Sequence, residues 1–126
     1  MADEIKINSG MSLTNGTLKS ALLRNDYDAD QTVARVLEDT QNIATTAGGE
    51  ALALGSISTP GWAYFKNLES AGGNFVTLGP ESGGAIVNLI KILPGETAGP
   101  IKINASVIRA IADTGAVELW YRIYEA

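Results

Sequence analysis

The sequence predicts an all-β protein: an antiparallel β-sandwich, jelly-roll-like, of about ten short strands forming one domain over residues 1–126. Three observations carry this reading. Fourteen glycines occur with frequent Asn, Asp, Ser and Thr between short apolar runs, the pattern of strands joined by turns. Several runs alternate apolar and polar residues with period two, and helical periodicity is weak. At 126 residues a single core can bury roughly two thirds of the surface that the unfolded chain exposes, so no staple is required.

The elements follow in chain order. Ile5-Lys6-Ile7-Asn8 alternates and suits a half-buried strand. Further strands are expected over Met11–Leu23, Thr32–Leu37, Ile43–Thr46, Ala51–Leu54 and Val107–Ala112. Thr32–Thr40 also fits a short helix capped by Asp30, because Val33, Val36 and Leu37 share one helical face. Gly61–Gly79 reads as two aromatic-rich strands joined through Ser70-Ala71-Gly72-Gly73, a connection short enough for a hairpin. In its first strand Ala63, Phe65 and Asn67 alternate with Trp62, Tyr64 and Lys66. Ile86–Leu93 is apolar on both faces, as in a strand covered on both sides, with a buried helix as the competing reading. Leu93-Pro94-Gly95-Glu96 ends it in a type II turn, proline presetting φ at the second position and glycine accepting positive φ at the third. Ile101-Lys102-Ile103-Asn104 repeats the letters of Ile5–Asn8 without a repeat in the flanks, so shared strand chemistry accounts for the echo. In the last strand, Val117–Tyr124, the residues Val117, Leu119, Tyr121 and Ile123 face the core. Glu118, Trp120, Arg122 and Tyr124 face outward.

Composition removes most chemistries. The chain has no cysteine and no histidine, which excludes disulfides, thiolate nucleophiles, Ser-His-Asp and Cys-His catalysis and the common transition-metal sites. Nine basic and fourteen acidic residues give 9 − 14 = −5, and the cations are scattered, so nucleic acid and anionic membranes are not expected partners. MADEIKINSG lacks a basic start and an apolar core, and no apolar run approaches the roughly 20 residues of a spanning helix. A soluble protein made in the cytoplasm is the expectation.

Asp26, Asp28 and Asp30 resemble the opening of a calcium loop, but Gln31 and Leu37 stand where an EF-hand needs glycine and glutamate. A solvated acidic loop is the default; a looser calcium site completed by backbone carbonyls in an assembly is the alternative. Gly48-Gly49, Gly72-Gly73 and Gly83-Gly84 match no phosphate-loop spacing and read as turns, with Gly79–Gly84 a flexible connection. Glu38, Asp39, Asp113 and Glu118 are read as surface charge rather than an acid–base pair. No catalytic residue, cofactor or metal is expected. Trp120, Arg122 and Tyr124 form the most pointed constellation, since aromatic residues and arginine are enriched at interface anchors. The competing reading is a face covered by a loop of the same chain or stacked across strands on Trp62 and Tyr64. The candidate interface residues are therefore Trp62, Tyr64, Trp120, Arg122 and Tyr124.

Thr59-Pro60-Gly61-Trp62-Ala63-Tyr64-Phe65-Lys66-Asn67-Leu68, then Asn74-Phe75-Val76-Thr77-Leu78-Gly79, Leu93-Pro94-Gly95-Glu96 and Leu119-Trp120-Tyr121-Arg122-Ile123 together resemble small structural proteins of tailed bacteriophages. The likeness covers roughly the second half of the chain; in the first half only Ile5–Leu13 and the Asn15-Gly16 turn share it. It implies a non-enzymatic β-sandwich of the virion. The leading expectation is a capsid cement or decoration protein binding the major capsid protein, or other virion proteins, as a homo-oligomer with a trimer favoured. A minor tail or head-to-tail accessory protein is the alternative within that class, and a carbohydrate-binding β-sandwich the alternative outside it.

Overall fold

The computed structural model describes residues 4–126, apart from the Leu23 side chain. The first three residues of the stretch read above for a leader lie outside it. Among the described residues eleven strands form, all pairings are antiparallel and there is no helix. They are β1 (Ile5–Asn15), β2 (Leu18–Ala29), β3 (Val36–Ile43), β4 (Glu50–Ala51), β5 (Pro60–Asn67), β6 (Val76–Ser82), β7 (Ala85–Ile86), β8 (Ile90–Ile92), β9 (Thr97–Lys102), β10 (Ile108–Ala112) and β11 (Val117–Glu125).

From β3 onward the pairing is nested: β3 with β11, β4 with β10, β5 with β9 and β6 with β8. This part of the chain is one long folded ribbon whose far end turns after β6. Rolling it up adds two pairings, β5 with β11 and β6 with β10. Two facing sheets result, β3-β11-β5-β9 and β4-β10-β6-β8, with the short β7 beside β6. That is the jelly-roll order, in which successive strands cross between sheets except at β6 to β8. The β1–β2 ribbon is a separate two-stranded sheet.

The core lies between the sheets because each contributes its apolar alternate residues. Phe65, Val117, Leu119, Tyr121 and Ile123 come from one sheet, and Val76, Leu78, Ile92, Ala110 and Ala112 from the other. The predicted alternations of β11 and β5 are those observed: Val117, Leu119, Tyr121, Ile123, Ala63, Phe65 and Asn67 are buried. The Pro94 turn also forms as read, with Gly95 at φ 79 and the Glu96 amide donating to the Leu93 carbonyl at 2.9 Å.

Seven expectations need correction here. Neither Ile43–Thr46 nor Ala51–Leu54 is a strand: Ile43 ends β3, Ala51 ends β4, and residues 44–46 and 52–54 are irregular, the Ala44 and Ala53 amides donating to the Glu50 carboxylate and the Gln41 side-chain oxygen at 2.7 and 2.9 Å rather than to a strand partner. Gly61–Gly79 is not a hairpin: β5 pairs with β9 and β11, β6 pairs with β7, β8 and β10, and the connection crosses from one sheet to the other. Asn67 secures that crossing from its buried position. Its amide donates to the Asn74 and Ile92 carbonyls, both at 3.0 Å, and its Oδ1 accepts the Glu69 amide at 2.9 Å. Met11–Leu23 is not one strand but the two arms of a ribbon, folded at Gly16, where φ is 59. Ile86–Leu93 is interrupted between β7 and β8, and Val87 and Leu89 are exposed rather than covered. The cause is a close approach: a Cβ on Gly79 would meet the Val87 carbonyl oxygen at 1.7 Å, so the chain there bulges against bare backbone. Residues 31–35 are irregular and β3 begins at Val36, so neither the Thr32–Leu37 strand nor the Thr32–Thr40 helix forms. Gly83-Gly84 is a tight two-residue turn between paired Ser82 and Ala85, with φ 61 and 81, rather than a flexible connection.

Candidate functional site

The ladder between β5 and β11 puts Tyr64 opposite Arg122 and Lys66 opposite Trp120. Both strands bury their alternate apolar residues, so the remaining side chains are driven to the opposite face of the sheet. Trp62, Tyr64, Trp120, Arg122 and Tyr124 accordingly share the outer face, all of them half-buried. Tyr64 meets Trp120 edge-on with ring centroids 6.1 Å apart, and the Arg122 guanidinium lies 5.7 Å from the Trp120 ring centre. Both contacts fall within the range of favourable aromatic and cation–π geometry.

The edge strand β3 fixes this cluster from one side. Glu38 accepts the Trp120 indole N–H at 3.1 Å and pairs with Arg122 at 3.2 Å. The hydrogen bond that the guanidinium donates to the Glu38 carboxylate holds it firmly in its charged form. From the other side the base of the β1–β2 ribbon folds over the face. Ile5, Ile7 and Ala29 are buried against Trp62 and Tyr124, and Tyr27 packs on Trp62 at 6.0 Å between centroids. Trp62 Nε1 is buried there without an acceptor. Between ribbon and sheet remains an open cleft of about 360 Å³, walled by Ile5, Ile7, Trp62, Tyr64, Trp120 and Arg122, among others.

All five sequence-predicted interface residues are thus brought together. Part of each competing reading is realised, since the same chain's ribbon covers Trp62 and Tyr124 while Tyr64 stacks on Trp120. Sequence reasoning missed the second wall of the cleft; the alternation of Ile5-Lys6-Ile7-Asn8 carried that signal, but not its destination.

Asp26 and Asp28 of the acidic stretch stand in strand β2 rather than in a loop, and Asp30 follows its end. Asp28 pairs with Lys6 at 3.0 Å and Asp26 with Arg24 at 2.8 Å. Among the described residues no three carboxylates or other ligands gather closely enough to hold a metal ion. Glu38, Asp39, Asp113 and Glu118 are distributed over β3, the β10–β11 connection and β11. Glu125, which sequence reasoning did not single out, is buried and accepts bonds from the Ser58 hydroxyl at 2.7 Å and from the Ser58 and Thr59 amides at 3.0 and 2.9 Å. It ties the end of β11 to the approach to β5. The arrangement at the cleft suits binding: flat π surfaces, two paired cations, Arg122 and Lys6, and apolar walls.

Comparison of the chain with protein-family models, with curated proteins and with solved structures finds no match.

Proposed function

We propose that the chain is a non-enzymatic structural protein of a tailed-bacteriophage particle, a cement or decoration protein on the outer head surface. In this reading it works as a homo-oligomer, a trimer, and buries its aromatic face against the major capsid protein at capsomer junctions. The observation that carries the reading is the convergence of Tyr64, Trp120 and Arg122 on one pre-organised face, positioned by Glu38. Rigid aromatic anchors with a neighbouring arginine are the side chains from which interface energy is drawn, and their fixed geometry lowers the entropy lost on binding. The resemblance of its strand and turn motifs, in order and spacing, to those of small virion proteins supports the choice of partner. The net charge of −5 suits an outer shell better than contact with packaged DNA.

The test is co-sedimentation with purified heads lacking the chain. The unaltered protein binds, and the Tyr64→Ala/Trp120→Ala variant binds at least about tenfold more weakly, a loss of about 1.4 kcal/mol or more, while circular dichroism stays unchanged. Equal binding by the variant would contradict the role of this face. Retention on a glycan array together with no binding to heads would instead favour the carbohydrate-binding reading.

A further inference from the structure

The β1–β2 ribbon carries a second surface that the aromatic face does not use. Its register sets Ile5 opposite Ala29, Ile7 opposite Tyr27, Met11 opposite Leu22, Leu13 opposite Ser20 and Asn15 opposite Leu18. Side chains opposite one another in a ladder share a face, and the odd positions of β1 continue it across the register shift between Ser9 and Met11, where β2 carries one extra residue. One face of the ribbon is therefore largely apolar, while Lys6, Asp28, Ser12 and Lys19 belong to the other. Close to the sandwich the apolar face is closed against Trp62 and Tyr124. Beyond Ser9 the same face is bare: Met11, Leu13, Leu18 and Leu22 are 75, 49, 59 and 64% exposed. An isolated two-stranded hairpin is marginal in water, and contiguous apolar patches of a few hundred Å² mark interaction surfaces.

The sandwich offers a complementary opening. A cleft of about 230 Å³ lies between β8 and the β9–β10 connection, walled by Leu78, Pro80, Ile90, Ile103 and Val107, with the 71% exposed Leu89 also lining it. We infer that the distal ribbon of one copy inserts its Met11, Leu13, Leu18 and Leu22 face into this cleft on a second copy.

Charge selects this contact over one between two ribbons. Ser9–Arg24 carries two cations and no carboxylate, 2 − 0 = +2, with Arg24 paired to Asp26 just beyond. Residues 30–126 carry six basic and ten acidic side chains, 6 − 10 = −4. Taken over the whole body, a ribbon therefore meets a net opposite charge on a neighbouring sandwich and a like charge on a neighbouring ribbon, while the cleft itself holds one cation, Lys102, at its wall. Reach is sufficient, because Ser9 to Asn15 extends about 20 Å at about 3.3 Å per residue. A contact between two different surfaces of the same chain is head-to-tail and closes into a ring when the rotation permits. The inference rests on the homo-oligomer part of the reading above and not on the location in a virion.

The absence of cysteine makes the test clean. Leu13→Cys and Leu89→Cys are introduced singly and together, the proteins are mildly oxidised, and products are sized under non-reducing conditions. The double variant is expected to form covalent multimers while each single variant stays at 13.2 kDa. Light scattering of the unaltered chain is expected to give a multiple of that mass, and Met11→Ser/Leu22→Ser to weaken self-association at least tenfold with an unchanged circular dichroism spectrum. Cross-linking by either single variant, a purely monomer-sized product from the double variant, or a monomeric mass of the unaltered chain at every concentration would each overturn the inference. None of these outcomes depends on whether the protein binds a capsid, so failure of one reading is separable from failure of the other.

Discussion

Glu125 is a charged group placed where burial alone would disfavour it. The Ser58 hydroxyl is the main cause that holds its carboxyl below the usual carboxylate range; burial opposes this, and the Thr59 and Ser58 amides and Arg35 assist. A carboxyl whose folded value is depressed contributes stability above the unfolded value, about 4.3, and that contribution is lost as pH falls through the folded value. Glu125→Gln is therefore expected to melt several degrees below the unaltered protein at pH 7 and to lose less stability on acidification. Melting curves between neutral and acid pH check this, and parallel slopes would refute it. Tyr121 behaves oppositely at the alkaline end. Burial, with Asp39 nearby, pushes its hydroxyl from 10.0 up to about 12; as a phenol it donates to the Ala53 carbonyl at 2.7 Å. The raised value means that its contribution is complete below pH 10 and is lost as pH rises through 12. Ultraviolet titration is expected to find one of the four tyrosines ionising near 12. Tyr121→Phe removes that late step and costs about 1 kcal/mol at neutral pH.

At the scale of elements, side-chain alternation was legible and strand partnership was not. β11 could be read from its own letters, because Val117, Leu119, Tyr121 and Ile123 need only one buried face. Phe65 and Val76 also point into one core, but from opposite sheets, and a short linker between two alternating strands looks the same whether it turns back or crosses over. The crossing is fixed by Asn67, whose buried side-chain amide binds β5 to the Asn74 and Ile92 carbonyls and to the Glu69 amide. Asn67→Ala leaves two carbonyls and an amide without this partner and is expected to cost on the order of 3 kcal/mol. Chemical denaturation measures it, and a loss below about 1 kcal/mol would mean that solvent replaces those bonds. The break in Ile86–Leu93 was hidden for a similar reason. It depends on Gly79, eight residues upstream of Val87, offering no side chain at the point of approach.

For the whole molecule, period-two runs and glycine punctuation sufficed for a jelly-roll-like sandwich, since the nested pairing of β3–β6 with β8–β11 is one of few ways to roll such a ribbon without crossing connections. The aromatic half of the candidate site was legible because Trp120, Arg122 and Tyr124 stood on the wrong face of an otherwise regular strand. The ribbon that forms its other wall was not, because Ile5 and Ile7 announce a buried face without saying against what. Cryo-electron microscopy of the phage particle to which the proposed function assigns this chain tests the central claim most directly. The account predicts sandwich-shaped density on the outside of the head at capsomer junctions, with the Tyr64–Trp120 face toward the shell. A head shell without this chain would contradict it, as would density confined to the tail.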